Sequence, residues 1–222
     1  AQPGYITATA GTNDATTFVA VDQHTSVGGT AAGSADIQVK CKDGYFKAHS
    51  GSGDCTEARP GYLASDATGT AVNAGAVQQM PCPVGKYKES AGVGTGASTT
   101  TCSDCAVGTY QPATGQTDCW NCPDGYYQDT TGMVSCKEVG KGKIGTDEDG
   151  ILGAESTSLC PAGQYKSDDG AGDCMNCPSG TYSPDQGNEA CTPCAAGYFE
   201  VSVGQTQCSG KCEAGKSTNG LK

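Results

Sequence analysis

Four Cys-x-x-Cys pairs, Cys102/Cys105, Cys119/Cys122, Cys174/Cys177 and Cys191/Cys194, are the residues of this sequence best suited to chemistry. Two such pairs can hold a zinc ion in a tetrahedron of thiolates, and a single pair can serve as a redox dithiol. Thirteen residues separate Cys105 from Cys119 and Cys177 from Cys191, close to a zinc-ribbon spacing. Zinc would take the pairs as its unit, yet Cys41, Cys55, Cys82, Cys136, Cys160 and Cys208 stand outside every pair. A redox dithiol needs a strand-to-helix junction, and no helical periodicity is present to supply one.

Other candidates are weaker. His24 and His49 are too few and too far apart to suggest a metal or catalytic centre. Asp147-Glu148-Asp149-Gly150 gathers carboxylates beside a glycine, but lacks the alternating spacing of a calcium loop and reads as a solvated acidic turn. No Ser-His-Asp, Cys-His or phosphate-cradling arrangement can be assembled. The expectation is a protein with no catalytic residue, no cofactor and no bound metal, and not an enzyme. Trp120, the only tryptophan, is expected to pack between adjacent loops; anchoring a partner is the alternative.

The composition shows what must position these residues. Leu, Ile, Val and Phe make up about 11% of the chain, below the roughly 20% at which a charged chain tends toward disorder. There are 34 glycines and 15 cysteines. An apolar core cannot carry this fold, so cross-links must. A net charge of −11, with 13 basic residues that do not cluster, argues against nucleic acid as a partner. No hydrophobic run approaches the roughly 18 residues of a membrane helix. The start, Ala1-Gln2-Pro3, reads as a mature end left by a processed leader.

The loops, rather than the pairs, account for fourteen of the cysteines. Seven segments run Cys41–Cys55, Cys82–Cys102, Cys105–Cys119, Cys122–Cys136, Cys160–Cys174, Cys177–Cys191 and Cys194–Cys208. All but Cys82–Cys102 have thirteen residues between their cysteines. Three residues after each opening cysteine comes a glycine, from Gly44 to Gly197, and ten after it another, from Gly51 to Gly204. Five after it comes an aromatic: Phe46, Tyr87, Tyr110, Tyr127, Tyr165, Tyr182 or Phe199. The first glycine fits a tight turn needing positive φ, and the second fits the turn that sends the chain back. The aromatic is expected to cover the sulfurs.

Cys177-Pro178-Ser179-Gly180-Thr181-Tyr182 through Cys191-Thr192-Pro193-Cys194 resembles the ephrin-receptor-like cysteine-rich repeat. It is also similar to the first half-module of tumour-necrosis-factor-receptor cysteine-rich domains. Such repeats occur in protist and algal surface or flagellar-hair glycoproteins. The resemblance spans about Cys41 to Cys212 and is specific to the repeat type. It implies that opening and closing cysteines bond to each other, giving the seven pairs above; sequence alone does not fix the connectivity. Cys212 is left over, and a leftover thiol in a secreted protein points to another chain or a further segment. Bridges of this number need an oxidising compartment, so the chain is expected to be secreted or extracellular.

The fold class implied is small, disulfide-rich and mostly irregular: short β-hairpins in an elongated tandem-repeat rod, with almost no helix. The organisation reads as a cysteine-free segment over 1–40, repeat blocks over 41–136 and 137–212, and the start of a further unit over 213–222. Pro3-Gly4-Tyr5, Arg59-Pro60-Gly61-Tyr62 and Val139-Gly140-Lys141 each open a cysteine-free stretch. Thr16 to Val21 is the best strand of the first segment, expected to pair within its own chain or to add to a neighbouring subunit. None of the six asparagines lies in an N-glycosylation acceptor, whereas runs such as Ser98-Thr99-Thr100-Thr101 are candidates for O-linked sugar. The function expected is structural: a subunit of a surface filament, appendage or coat that assembles head to tail with copies of itself. The alternatives are a cell-surface recognition module and a zinc-binding protein.

Overall fold

The computed structural model describes residues 3, 5–8, 24–25, 37–41, 43–50, 54–89, 101–147 and 153–213. No helix occurs among them; regular structure consists of short antiparallel strand pairs. Glu148 to Gly150 of the acidic turn, Ser98 to Thr100 and Thr16 to Val21 lie outside the described residues.

Each repeat folds the same way. The opening residue is followed by a turn whose glycine, three residues on, has positive φ: +82° at Gly125, with Tyr126 N–H donating to Pro123 C=O at 3.0 Å. The next two residues form a ladder with the two residues that precede the following repeat. Tyr126 pairs with Glu138 and Tyr127 with Lys137; Gln164 pairs with Asn176 and Tyr165 with Met175. A disulfide closes the loop just beyond that ladder.

The same register continues where cysteine is absent. Tyr62 pairs with Pro81, Lys143 with Leu159 and Tyr5 with Lys40, each partner standing immediately before an opening cysteine. These stretches are therefore repeats in their own right. Ala58 and Val139 occupy opening positions, three residues after Cys55 and Cys136. Both are 1% exposed, as buried as an opening cysteine. Their ladders have four rungs instead of two: Tyr62–Ser65 with Gln78–Pro81, and Lys143–Thr146 with Ser156–Leu159. Longer hydrogen-bonded ladders stand in for the covalent closure. The N-terminal segment follows suit. Tyr5–Ala8 pairs with Ile37–Lys40, and His24–Thr25 pairs with the other edge of Ile37–Cys41, so these strands find partners within their own chain.

The chain divides into two compact units. One takes the described residues up to Cys105, with Gln111–Cys119 and Gly132–Val134. The other takes Ala106–Tyr110, Trp120–Thr131 and the described residues from Ser135 on. Within the first, each repeat hands fixed backbone bonds to the next. Cys82 N–H donates to Gly61 C=O at 2.8 Å, Gly61 N–H to Lys88 C=O at 2.8 Å, and Gly115 N–H to Cys82 C=O at 2.8 Å. Within the second, Cys177 N–H donates to Gly163 C=O at 2.9 Å, Gly163 N–H to Ser183 C=O at 2.8 Å, and Gly204 N–H to Cys177 C=O at 2.8 Å. Each is the same set of bonds at the same repeat positions, so backbone amides in both units find partners without long strands.

Contact also reaches two repeats away. A Cβ built on Gly85 would lie 2.1 Å from Gly132 O, and one on Gly163 would lie 2.1 Å from Gly204 O. The two glycines of the sequence pattern therefore touch each other across an intervening repeat. Turn geometry is only half of why they are glycine.

Candidate assembly and interaction surface

The seven disulfides join Cys41–Cys55, Cys82–Cys102, Cys105–Cys119, Cys122–Cys136, Cys160–Cys174, Cys177–Cys191 and Cys194–Cys208. Cα–Cα distances run from 5.5 Å in Cys160–Cys174 to 5.8 Å in Cys194–Cys208, the ordinary range for such a bond. Most opening cysteines are buried, with Cys41, Cys82, Cys105, Cys160 and Cys177 at 0% exposure. Most closing cysteines are half-buried. Closing a fifteen-residue loop is worth about 3 kcal/mol in the chain-entropy model.

What fills each loop is polar. The aromatic at the fifth position is only half-buried; the next residue is the buried one. It is Lys47, Lys88, Gln111, Gln128, Lys166, Ser183 or Glu200, and each of these is buried. The side chains of Gln111, Gln128, Lys166, Ser183 and Glu200 hold their own loop's backbone. Gln111 Nε2 donates to Asp118 C=O at 2.7 Å while its Oε1 accepts from Ala113 N–H at 3.1 Å. Gln128 repeats the arrangement on Ser135 and Thr130, at 2.6 and 3.2 Å. Lys166 Nζ donates to Asp168 C=O and Gly170 C=O at 2.9 and 2.7 Å. Glu200 does the reverse, accepting from Ser202 N–H at 3.0 Å and from the Ser209 hydroxyl at 2.7 Å.

These settings move two titrations. The Ser209 hydroxyl, followed by the Ser202 amide, holds the Glu200 carboxyl below the usual glutamate value. Burial pushes the Lys88 ammonium below the usual lysine value, against the opposing charges of Glu57 and Asp43. Sequence reasoning missed the buried sixth position because its residue type changes from repeat to repeat; only its polarity at a fixed offset could have signalled it. In the Ala58 repeat the position is Ala64, and a small apolar cluster replaces the polar hub: Ala58, Ala64 and Ala76, with Phe46 and Val72 against them.

Cys212 is half-buried, and its N–H donates to Gly197 C=O at 2.8 Å. That bond is the one the opening residues from Ala58 to Cys194 make, so Cys212 occupies an opening position. Trp120 departs from expectation. It is 54% exposed, and its ring meets Tyr110 edge-on at 5.8 Å. Tyr110 is its ladder partner in the same hairpin, so the ring is not packed between loops. His49 is exposed, and His24 lies in the short strand beside Cys41. Asp147 is exposed at the edge of a shallow cleft of about 390 Å³ in the second unit, bordered by Asp124, Tyr126, Ile144 and Asp173. Among the described residues no group of three or more His, Cys, Asp or Glu side chains is placed to hold a metal ion. Nor is any helix there long and apolar enough to cross a membrane.

The family model described as tyrosine-protein kinase ephrin type A/B receptor-like matches residues 94–138 and 152–187. No curated protein matches the chain. The matched stretches carry ephrin-receptor-like cysteine-rich repeats. With seven disulfides in one hairpin pattern, the chain is a cysteine-rich repeat protein of the extracellular kind.

Proposed function

We propose that this chain is a secreted, non-enzymatic structural protein, a subunit of an extracellular filament, appendage or coat. It assembles head to tail with copies of itself and carries O-linked sugar on hydroxyl-rich loops. The observation that carries this reading is the repeat-to-repeat bonding. Each repeat turns the same backbone donor and acceptor toward the repeat that follows, and the matching acceptor and donor toward the one before, as Gly61 N–H and C=O meet Lys88 C=O and Cys82 N–H. A surface built this way is complementary to another copy of itself and can associate heterologously. Cys212, at an opening position, adds a thiol that can make the contact covalent.

Electron microscopy of the purified native protein tests the reading, together with mass spectrometry under non-reducing conditions. Filaments or sheets, with Cys212 in a disulfide, are the expected result. Isolated monomers at high concentration, with Cys212 as a free thiol, would sink it.

A cell-surface recognition module is the second reading, favoured by the exposed Trp120–Tyr110 pair and by the receptor family whose model matches. It predicts a monomer whose binding of a defined partner is lost in Trp120→Ala.

A further inference from the structure

The repeats differ in how tension passes through them. In a disulfide repeat a pull on the chain enters at the opening cysteine, crosses the sulfur bridge and leaves at the closing cysteine. Cys122 and Cys136 are 5.8 Å apart at their Cα atoms, and the residues between them are bypassed. In the repeats opened by Ala58 and Val139 there is no bridge, and tension runs through the whole loop.

Ladder geometry decides how those loops respond. Tyr62 pairs with Pro81 at the end of the hairpin nearest Ala58 and Cys82, so both strands are pulled apart from the same end. Rungs then break one at a time, from Tyr62–Pro81 to Ser65–Gln78, rather than all together. Lys143–Leu159 to Thr146–Ser156 has the same orientation. The cluster behind the first ladder is small: Ala58, Ala64 and Ala76, with Phe46 and Val72 against them.

We propose that the cysteine-free repeats opened by Ala58 and Val139 are extensible links, which unzip and lengthen under tension while their neighbours are held shut by disulfides. The positions equivalent to the closing cysteines are Gln79 and Thr157, three residues before Cys82 and Cys160. Gln79 already bridges the gap that a disulfide would span: its Oε1 accepts from the N–H of Arg59, the neighbour of Ala58, at 3.2 Å. Gln79 lies 21 residues after Ala58, and Thr157 lies 18 after Val139. At 3.3–3.6 Å per extended residue, and allowing for the short folded span, the links release about 65–70 Å and about 55–60 Å. Each has a fixed upper limit, because the flanking disulfides stop further unravelling.

Force spectroscopy on the full oxidised chain, held by its two ends, tests this. The expected record has steps of about 65–70 Å and about 55–60 Å before any disulfide is reduced, with a separate, longer step from the hairpin of Tyr5–Ala8 and Ile37–Cys41. In Ala58→Cys/Gln79→Cys, oxidised during expression, the first step disappears and the second remains. Val139→Cys/Thr157→Cys gives the reverse. Cys122→Ser/Cys136→Ser adds a step of about 40–45 Å. The proposal is overturned if the wild-type chain shows no such steps, or if a cross-linked variant keeps the step its bridge should remove. It is equally overturned if the introduced cysteines fail to bond, because Gln79 and Thr157 would then not be closing positions.

Discussion

A Cβ on Gly61 would stand 2.2 Å from the carbonyl oxygen of Gly115, two repeats further along the chain. No side chain fits there. The glycine is required by a distant backbone as much as by its own φ of +78°.

This separates two classes of glycine substitution. Gly61→Ala and Gly163→Ala combine a left-handed backbone with a collision against main chain and are expected to cost about 2–5 kcal/mol. Gly180→Ala carries the backbone strain alone, at φ +81°, because among the described residues nothing lies within 4 Å of its Cβ. It is expected to cost about 1–2 kcal/mol. Thermal unfolding of the three oxidised variants checks the order; equal losses would reduce the glycines to turn formers.

The polar hub of each loop gives a second expectation. Gln111→Ala leaves Asp118 C=O and Ala113 N–H without their partner, at a cost of about 1–3 kcal/mol. Gln111→Lys is milder, since Lys166 organises its own loop by donating to two carbonyls. Hydrogen exchange at the Ala113 amide reads the effect locally, and unchanged protection in Gln111→Ala would contradict it.

Acid should loosen the loop organised by Glu200. Its folded pKa lies below the unfolded value, so its contribution is fully present above the unfolded value and is lost as pH falls through the folded one. The Ser202 and Ser209 amides, which donate to it, are expected to lose protection relative to their intrinsic exchange rates as pH falls from the usual glutamate range through that lowered value. Glu200→Gln should remove this pH dependence. Amide exchange followed by NMR between neutral and acidic pH is the measurement.

Covalent and ionic closure of one repeat can be compared directly. Cys122→Ser/Cys136→Ser is expected to cost about 3 kcal/mol. Asp129 and Lys137 form an ion pair in the same repeat, with side chains 45% exposed on both sides. Asp129→Asn is expected to cost less than about 1 kcal/mol. Chemical denaturation of both variants, without reductant, provides the comparison.

Much of this fold was legible in the residues. Gly125, Tyr127 and Gly132 fall at fixed offsets from Cys122, and the turns, ladder and register follow from those offsets. The cysteine-free repeats were hidden because Ala58 and Val139 keep the burial of an opening cysteine but not its identity. Their signal was the preserved spacing from Cys55 and Cys136, together with Gly61 and Gly142 three residues on. Gln111 and Glu200 were hidden for a different reason. A polar residue in a glycine-rich loop reads as solvent-facing, and only the folded loop shows that its amides and carbonyls converge on one side chain. Trp120 was misjudged because packing between loops was expected of the largest ring, whereas its hairpin places it on the outside.

The polar interior also bears on heat capacity. Among the described residues the largest wholly buried side chains include Gln111 and Gln128, with hydrocarbon represented by Val139. Exposing apolar surface raises the heat capacity of unfolding, while exposing amide surface lowers it. With its bridges intact, the chain should therefore unfold with an increment well below the usual ~12–15 cal/mol/K per residue. A small increment flattens the dependence of stability on temperature, leaving the fold about as secure in cold water as in warm.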